Sequence, residues 1–405
     1  MRILYYSPHP TLNLSDPSGY GTHMRQMIGA FRKLGHEVFP MIAGGVEPAA
    51  PAAQAVSDRT PKNLVKKIIP RYLWETLKDI RIKKFDRYYQ QQLAEKIQQW
   101  QPDLIYERAT YLQTSGVTEA RRHGVRHFLE VNSPYVEERV SISGKSALLA
   151  EGEKCEATQM RDTDNIIVVS SALKSHFQQR HGVGADKILV VPNAVNQDQL
   201  RVDSAVAESL RQQWSLDDKI VVGFVGAIFP WHGVDVLLRG AVDLICRNPN
   251  VRLLIVGGGL YLDGLTQLAS DLAIDGSVIF TDNVPNHLVP TYISLMDVAV
   301  APRSGWYQSP IKIFEYGGLR KPIVVHDTVP ARDVMVDGVD GLLVESSEEV
   351  IAASLRKMIA DPALRQRFAG TFHEKVMANY TWDRAAENVL SLCGDGTVER
   401  GSSDA

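Results

Sequence analysis

The feature of this 405-residue chain that most constrains its fold is a regular alternation of short apolar segments with longer, helix-compatible ones. Each apolar segment has the length of a buried strand, and the polar stretches between most of them can form helices. This alternation predicts parallel sheets covered by helices. The first series predicts a helix from about Thr22 to Leu34, ended by Gly35, and strands at 3–6, 37–42, 104–106, 127–131, 166–169 and 188–191.

A second series of the same kind follows a polar joining region near residues 193–215. Two successive parallel sheets predict an α/β chain with two Rossmann-like domains that face each other across a cleft, where ligands bind beyond the carboxyl ends of the strands. We expect an N-terminal domain at 1–195, a C-terminal domain at 196–376, a helix at 377–393 that can pack back on the N-terminal domain, and a flexible tail at 394–405. The second series predicts strands at 220–225, 251–256, 278–280, 298–301, 323–325 and 341–344.

Composition narrows the class of protein. With 44% hydrophobic and 22% charged residues, the chain is typical of soluble globular proteins and unlike disordered or fibrous ones. A net charge of −3 argues against nucleic acid as a partner. We expect no secretory signal at the start of the chain, and no apolar run reaches the roughly 18–20 residues that span a bilayer. Cys155, Cys246 and Cys393 are scattered without a CxxC pair. This cysteine pattern fits a reducing compartment, so we expect a cytoplasmic protein.

A glycine-containing loop between a predicted strand and a predicted helix is the first candidate site. Segment 222–238 runs from the strand through Gly226, Ala227 and His232 into the helix. Backbone amides at such a helix start favour an anion, most often phosphate. His232 would then donate a hydrogen bond to a diphosphate. An ordinary strand-to-helix turn, with His232 only capping the helix, explains the same pattern.

The second candidate site follows another strand of the same predicted sheet. Segment 297–318 leaves that strand and enters a helix on which Lys312 and Glu315, three residues apart, share a face. A lysine suits phosphate and a carboxylate suits ribose hydroxyls, although a surface ion pair has the same spacing. Because both segments follow strands of one sheet, we expect their loops to converge on one cleft.

Six segments, taken together, resemble a known enzyme family. They are Ser18–His23, Leu34–Val38, Ile167–Ser170, Val191–Val195, Val222–Leu238 and Ser309–Tyr316. Each segment alone is common. Their order and spacing over nearly the whole chain resemble the retaining GT-B glycosyltransferases of family 4, also called glycosyl transferases group 1.

The resemblance implies a substrate class and a reaction. The C-terminal domain would bind a nucleotide-sugar donor, and the N-terminal domain would hold a glycan or lipid-linked acceptor, in cell-surface polysaccharide or glycolipid synthesis. Transfer would retain the anomeric configuration without a metal, another cofactor or a protein nucleophile, because the departing phosphate can deprotonate the acceptor. Two alternatives stay open: a GT-B enzyme that makes a small-molecule glycoside, and a non-catalytic partner protein that binds sugar nucleotides.

Residue by residue, the resemblance is incomplete. Glu315 matches the second Glu of the family's E-x7-E motif, which implies ribose binding, whereas Tyr307 stands where the first Glu contacts the donor sugar. Ala227 and His232 stand where the family has an Arg and a Lys for the diphosphate. We therefore expect His232, Lys312 and Glu315 to carry the catalytic work. The other predicted donor contacts are Gly19, Gly21, Gly226, Ala227, Gly258, Arg303, Tyr307, Ser309, Pro310 and Ile311.

Two strand ends of the N-terminal domain supply the predicted acceptor site. Glu107 and Arg108 end one strand, and Glu130 and Asn132 end the next. Both resemble short motifs of one branch of the family, which implies acceptor binding. A buried structural ion pair around Glu107 and Arg108 is the alternative.

A basic stretch predicts one further partner. Residues 59–87 carry ten Lys or Arg against three Asp or Glu, with apolar residues at near-helical spacing among them. Such a stretch fits peripheral contact with an anionic membrane, on its inner face, and charge reversal at Lys66, Lys67, Lys83 and Lys84 would test that contact. A solvated helix that packs one face on its own domain is the alternative.

Overall fold

The computed structural model describes residues 1–16, 18–46 and 70–394. The predicted tail beyond Gly394 and the part of the basic stretch at 59–69, with Lys66 and Lys67, lie outside the described residues. No helix in the described ranges is both long and apolar enough to cross a membrane. The strands of the described residues are β1 (Arg2–Ser7), β2 (Glu37–Ile42), β3 (Leu104–Arg108), β4 (Arg126–Val131), β5 (Asn165–Val168), β6 (Ile188–Val190), β7 (Ile220–Val225), β8 (Val251–Val256), β9 (Val278–Phe280), β10 (Val298–Ala301), β11 (Ile323–His326) and β12 (Leu342–Val344).

Helices separate most of these strands. The described α-helices are α1 (Gly19–Lys33), α2 (Arg71–Trp100), α3 (Ser115–His123), α4 (Tyr135–Ser143), α5 (Leu149–Asp162), α6 (Ser171–His181), α7 (Ser204–Gln213), α8 (Val234–Arg247), α9 (Leu262–Asp271), α10 (Val289–Ser294), α11 (Ile311–Gly318), α12 (Val329–Val334), α13 (Glu348–Ala360), α14 (Pro362–Asn379) and α15 (Trp382–Ser391).

The strands form two parallel six-stranded sheets, in the orders β2-β1-β3-β4-β5-β6 and β12-β11-β10-β7-β8-β9. All pairings between these strands are parallel, as the alternation of strands and helices predicted. The central strands read as apolar runs because helices cover both faces of such a sheet. The predicted α/β class with two Rossmann-like domains is confirmed.

The predicted strands agree with the structure to within two residues at either end. The first helix differs more, since α1 begins at Gly19 instead of Thr22. Gly19 and Gly21, which were predicted as loop residues, lie in its first turn, and a Cβ on Gly21 would lie 2.1 Å from the Asp16 carbonyl oxygen. The end of α1 follows the prediction, because Gly35 takes a left-handed φ of +85°.

Contacts divide the chain into two compact units. The first unit contains 1–168, 173–191 and the chain from Asp383 onward, and the second contains 169–172 and 192–382. The second unit thus extends beyond the expected boundary at 376. Within it, the backbone amide of Val195 donates a hydrogen bond to the carbonyl oxygen of Tyr380 at 2.9 Å.

The last helix belongs to the first unit for most of its length. Lys33 Nζ on α1 lies 2.5 Å from the Asp383 carboxylate. Arg126 at the start of β4 donates to the carbonyl of Cys393 at 2.8 Å. The chain therefore crosses back to its first unit just after Trp382.

Candidate functional site

Three neighbouring strands of the second sheet, β10, β7 and β8, end in the loops that hold the predicted site. The loops are 226–233 after β7, 257–261 after β8 and 302–310 after β10. Because the strands are parallel, all three loops leave the same edge of the sheet. Helix α11 starts directly after the third loop, so its N-terminus lies at this edge as well.

Glycines let two of these loops approach each other closely. A Cβ on Gly257 would lie 2.2 Å from the carbonyl oxygen of Gly226, and one on Gly259 would lie 2.4 Å from that of Ile228. Gly226 and Gly257 have φ angles of +139° and +127°, which side chains rarely adopt. The amide of Gly258 donates to Asn283 Oδ1 at 3.2 Å. The glycines after β8 therefore allow the loop after β8 to pack tightly against the loop after β7.

Lys312 and Glu315 lie on one face of α11, and both side chains are half-buried. Lys312 Nζ sits 3.9 Å from the centre of the Phe224 ring, and a Cβ on Gly226 would lie 2.8 Å from that nitrogen. Within the described residues, neither the Lys312 amine nor the Glu315 carboxylate has a hydrogen bond or an ion pair shorter than 4 Å. The pair thus offers a cation and a carboxylate to a ligand at the strand ends.

Burial favours the neutral forms of the Lys312 amine and the Glu315 carboxyl group. It lowers the pKa of Lys312 to about 7, although the neighbouring Glu315 carboxylate opposes this shift. Burial likewise raises the pKa of Glu315 to about 7, against the effect of Lys312. A buried charge without hydrogen bonds is costly, so each group gains from a ligand that supplies the missing partner.

His232 ends the short turn after β7 and points back to that strand's loop. Its Nδ1 donates to the carbonyl of Ala227 at 2.5 Å, which fixes the proton on Nδ1 because a carbonyl only accepts. Burial, with Lys312 nearby, lowers the pKa of His232 to about 4. At neutral pH its Nε2 is therefore an acceptor. Donation to a diphosphate, as the sequence suggested, requires a proton gained when the anion binds.

The loop after β10 is held in place by its own polar groups. Asn193 N donates to Ser309 Oγ at 3.1 Å, and Asn193 Nδ2 donates to the Ser309 carbonyl. Arg303 Nε donates to Ser346 Oγ at 3.1 Å. Pro310 precedes α11 and supplies no side-chain cap. The first amides of α11, from Ile311, therefore suit an anion.

Tyr307 lies half-buried in this loop, beside Trp306, with ring centres 5.2 Å apart. An aromatic side chain here offers a hydroxyl and a flat apolar face in place of the family's carboxylate. Ala227 is exposed and has no charge to offer. Among the described residues at these strand ends, the groups that could contact a diphosphate are therefore the side chains of Lys312 and Arg303 and the backbone amides.

The predicted acceptor residues lie in the first unit and are almost fully enclosed. Glu107, Arg108 and Glu130 are 0%, 7% and 1% exposed. Glu107 Oε2 lies 2.8 Å from His127 Nε2, and Arg108 donates to Glu130 Oε1 at 2.7 Å. The buried ion pair that the sequence left open as an alternative is thus present, between Arg108 and Glu130. An acceptor role for these three side chains stays a prediction.

Asn132 and the two early glycines complete the sequence-predicted set. Asn132 Nδ2 donates to Glu130 Oε1, and Asn132 itself is half-buried. Gly21 supports packing, because a Cβ there would lie 2.1 Å from the Asp16 carbonyl oxygen. Gly19 has nothing within 4 Å of such a Cβ. The open space at Gly19 leaves room for a ligand, whereas Gly21 is needed by the fold.

Sequence reasoning missed four residues of these sites. His23 and His127 join the buried charge network of the first unit, since Arg108 donates to His23 Nδ1 at 3.0 Å. Phe224 lies under Lys312, and Asn193 holds Ser309. Asn193 belongs to a family-like motif and His23 follows Gly21 in another, so the motifs could have indicated both. Nothing in the sequence separated Phe224 from other core residues.

Comparison with known families agrees with this architecture. The family model of Glycosyltransferase Family 4 matches residues 17–199, and that of Glycosyl transferases group 1 matches residues 206–371. The chain belongs to family 4 of the GT-B glycosyltransferases. The second model covers all three loops of the candidate site, and the first covers the buried network.

Curated relatives of this glycosyltransferase are distant. A GDP-mannose-dependent alpha-(1-6)-phosphatidylinositol monomannoside mannosyltransferase from Mycolicibacterium smegmatis is 27% identical over 57% of this chain and 62% of its own length. An alpha-D-kanosaminyltransferase from Streptomyces kanamyceticus is 27% identical over 45% of this chain and 47% of its own length. The chain thus spans about half to three fifths of the length of these two relatives.

Solved structures share the fold at low identity. Anabaena Alr3699/HepE, solved in complex with UDP, matches with a TM-score of 0.69 and 17% identity, covering 97% of this chain and 99% of that one. A glycosyltransferase from Rickettsia africae matches with a TM-score of 0.70 and 14% identity, covering 96% and 97%. At these identities the likeness establishes the GT-B fold.

Proposed function

We propose that this protein transfers a sugar from a nucleotide-sugar donor to a hydroxyl of a glycan or lipid-linked saccharide, with retention of the anomeric configuration and without a metal. The observation that carries the proposal is the pair Lys312 and Glu315, half-buried and without hydrogen-bond partners in the described residues, at the start of α11. A donor supplies what both lack: a diphosphate for the amine and ribose hydroxyls for the carboxylate.

The chemistry needs stabilisation of a leaving nucleoside diphosphate while the anomeric carbon gains positive charge. Lys312 Nζ and the amides at the start of α11 are fixed donors for that diphosphate. As the bond to the sugar breaks, negative charge grows on the phosphate, and a lysine that has been half-neutralised by burial gains most from it. The departing phosphate then accepts the proton of the acceptor hydroxyl, so no side chain is assigned as nucleophile.

Donor binding is the first test, because it does not require the acceptor to be known. We expect one of UDP, GDP and ADP to raise the melting temperature of the full-length protein, since a ligand at 100 times its Kd stabilises by about 2.7 kcal/mol. Glu315→Ala should abolish that rise, and Lys357→Ala, at an exposed lysine on α13, should preserve it. No rise with any of the three nucleotides would contradict the proposal.

Turnover separates the enzyme from its closest rivals. The names of the relatives support two acceptor classes, a phosphatidylinositol mannoside and a small-molecule glycoside. Incubation of the matching sugar nucleotide with candidate acceptors should yield a product whose anomeric configuration, read by NMR, equals that of the donor. Equal rates with and without EDTA are expected for a metal-independent transfer.

A non-catalytic role is favoured by one specific observation. Ala227 and Tyr307 lack the charges that the family resemblance implies, and His232 is neutral in the free protein. A protein of this kind would bind the sugar nucleotide and release it intact. Binding without turnover on any acceptor, and without hydrolysis, would favour this second candidate.

A further inference from the structure

Two segments that connect the units contact the loop before α11. The chain passes from the first unit into the second after Val168 and again after Val191. Ser170 lies just beyond the first of these points and Asn193 just beyond the second, and both belong to the second unit. Each donates hydrogen bonds to the loop 302–310. The candidate site is therefore joined to both connections by polar contacts.

Ser170 holds the loop at Tyr307. Its hydroxyl donates a hydrogen bond to the carbonyl oxygen of Tyr307 at 2.9 Å, and Ser170 is fully buried. The next residue, Ser171, is itself anchored, because its amide and its hydroxyl donate to the two carboxylate oxygens of Asp333 at 2.8 Å and 2.6 Å. The Ser170 hydroxyl thus reaches the loop from a segment that is fixed within the second unit.

Asn193 holds the same loop two residues further along. Its backbone amide donates to Ser309 Oγ at 3.1 Å, and its Nδ2 donates to the Ser309 carbonyl oxygen. Val195, two residues on, is also anchored: its amide donates to the Tyr380 carbonyl at 2.9 Å, and its carbonyl accepts from the amide of Trp382 at 3.2 Å. Asn193 therefore contacts the loop from a second fixed segment.

The side-chain amide of Asn193 is paired on one side only. A carbonyl oxygen accepts hydrogen bonds and cannot donate them, so the amide nitrogen must face Ser309. The Oδ1 atom of Asn193 is buried and has no hydrogen-bond partner among the residues that the structure describes. An unpaired buried acceptor lowers stability and offsets what the bond to Ser309 contributes. We therefore expect the Asn193 side chain to add little to the stability of the fold.

These contacts fix the backbone that leads into α11. Ser309 is followed by Pro310 and then by Ile311, the first residue of α11, whose start suits an anion. Lys312 is the next residue. A loop that is held in its binding conformation before the ligand arrives lowers the entropic cost of binding. A displaced Ser309 carbonyl would move the first amides of α11 and the Lys312 amine away from a bound diphosphate.

We propose that Ser170 and Asn193 are positioning residues for the nucleotide-sugar donor. They act through the carbonyls of Tyr307 and Ser309 and need no contact with the ligand. The inference rests on the proposed function, because it requires a nucleoside diphosphate at the start of α11. Coupling of this kind is reciprocal. A bound nucleotide therefore restricts the loop and, through the same hydrogen bonds, residues 169–172 and 192–195.

Nucleotide affinity measures the positioning. Isothermal titration calorimetry of the full-length protein with UDP, GDP and ADP identifies the nucleotide that binds. Ser170→Ala and Asn193→Ala each remove one neutral hydrogen bond, so the Kd for that nucleotide should rise by roughly 3- to 10-fold. Asn193→Ala should melt close to the wild type, which separates its effect on affinity from an effect on the fold.

A matched control is available on α13. The buried Ser354 hydroxyl also donates to a backbone carbonyl of the second unit, that of Val350, at 2.8 Å. Ser354→Ala therefore removes the same kind of hydrogen bond as Ser170→Ala, away from the loop 302–310. Its Kd for the nucleotide should equal that of the wild type.

Hydrogen–deuterium exchange, measured by mass spectrometry, tests the coupling. In the wild type, the nucleotide should slow exchange of the backbone amides in 305–311, in 169–172 and in 192–195. In Ser170→Ala the slowing in 169–172 should disappear, while that in 192–195 remains. A residue that serves only the fold would change the exchange rates equally with and without the nucleotide.

The outcomes distinguish this inference from the proposed function. A wild type that binds none of the three nucleotides overturns both. A wild type that binds, with the same Kd in Ser170→Ala, Asn193→Ala and Ser354→Ala, overturns the positioning alone. So does a nucleotide that slows exchange in 305–311 but in neither connecting segment. If Ser170→Ala does not fold, Asn193→Ala decides the question by the same measurements.

Discussion

Both units have charged side chains near the carboxyl ends of central strands, in β3 and β4 of the first sheet and on α11 after β10 of the second, but the two sets differ in their pairing. In the first unit, Arg108 and Glu130 are buried and lie 2.7 Å apart. In the second unit, the side chains of Lys312 and Glu315 are half-buried and make no hydrogen bond within the described residues. The first pair compensates its own buried charges within the fold. The second pair leaves the free-energy cost of burying two charges uncompensated, and a ligand with complementary charge and hydrogen-bonding groups would offset that cost.

Removal of one partner should have its largest effect in the first unit. Glu130→Ala leaves Arg108 and its charge buried without compensation, so we expect the free energy of unfolding to fall by about 3–5 kcal/mol. Urea denaturation followed by circular dichroism measures this loss. The exposed pair of Asp243 and Arg247, 2.7 Å apart, is the control, and Asp243→Ala should cost less than about 1 kcal/mol. A Glu130→Ala protein as stable as this control would show that burial of the pair is not structural.

Removal of a charge at the candidate site of the second unit should lower ligand affinity and leave the stability of the fold unchanged. Lys312→Met keeps the length and removes the charge, so we expect nucleoside diphosphate binding to weaken by about 1.5–3 kcal/mol, which is the range for hydrogen bonds to charged groups. The unfolding free energy should stay the same or rise slightly, because a buried amine is replaced by an apolar side chain. Isothermal titration calorimetry and urea denaturation measure the two quantities, with Lys357→Met as the control. A stability loss comparable to that of Glu130→Ala would remove the contrast between the two units.

Proton uptake on nucleotide binding provides a second test of whether Lys312 is an unpaired group that binds a ligand. Burial lowers the pKa of Lys312 to about 7, so at pH 8 its amine is mostly neutral in the free protein. A bound diphosphate raises that pKa, and binding at pH 8 should therefore take up to about one proton. Affinity should accordingly fall as the pH rises from 7 to 9. Glu315, whose pKa burial raises to about 7, is mostly ionised at pH 8 and contributes little.

Calorimetry in buffers of different ionisation enthalpy, such as HEPES and Tris, counts the protons. Lys312→Met should abolish the uptake, and His232→Gln should preserve it, because burial keeps the pKa of His232 near 4. Uptake that persists in Lys312→Met and vanishes in His232→Gln would assign the proton to the imidazole.

Much of the fold followed from the sequence because parallel sheets leave a simple pattern. Strands β7 to β10 were predicted with the ends that the structure gives them, since each is a mostly apolar run that begins after a polar residue and ends before a glycine, a proline or a polar residue. Gly226 and Lys312 were also placed at one edge correctly, because the ends of parallel strands share an edge. These features depend on local periodicity and topology alone.

The remaining features depend on contacts between distant residues. His127 pairs with Glu107, 20 positions away, and nothing in the pattern of either strand requires it. The sequence offered Glu107, Arg108 and Glu130 as a ligand site or as an ion pair, and the burial of all three and the pairing of Arg108 with Glu130 depend on contacts between strands that neither strand's pattern contains. Which ring nitrogen of His232 carries the proton also depends on a contact with the carbonyl of Ala227, and the position of that carbonyl does not follow from the sequence.

The smallest expected effect concerns the early glycines. A Cβ on Gly19 meets nothing within 4 Å, whereas one on Gly226 meets Lys312 Nζ at 2.8 Å on a backbone with φ of +139°. Gly19→Ala should therefore change the free energy of unfolding by less than about 1 kcal/mol, with a gain in helix propensity, while Gly226→Ala should cost about 1–3 kcal/mol. Thermal denaturation ranks the two variants.

The same Gly19→Ala variant decides whether the open space at the start of α1 serves a ligand. If the predicted approach of the donor phosphates to Gly19 is right, the added methyl group lowers nucleotide affinity although the fold is unharmed. If affinity is unchanged as well, the glycine serves neither packing nor binding, and the diphosphate contacts are confined to the second unit. If Gly19→Ala lowers nucleotide affinity without lowering the free energy of unfolding, then Gly19 of the first unit also serves ligand binding, as we propose for Lys312 and Glu315 of the second unit.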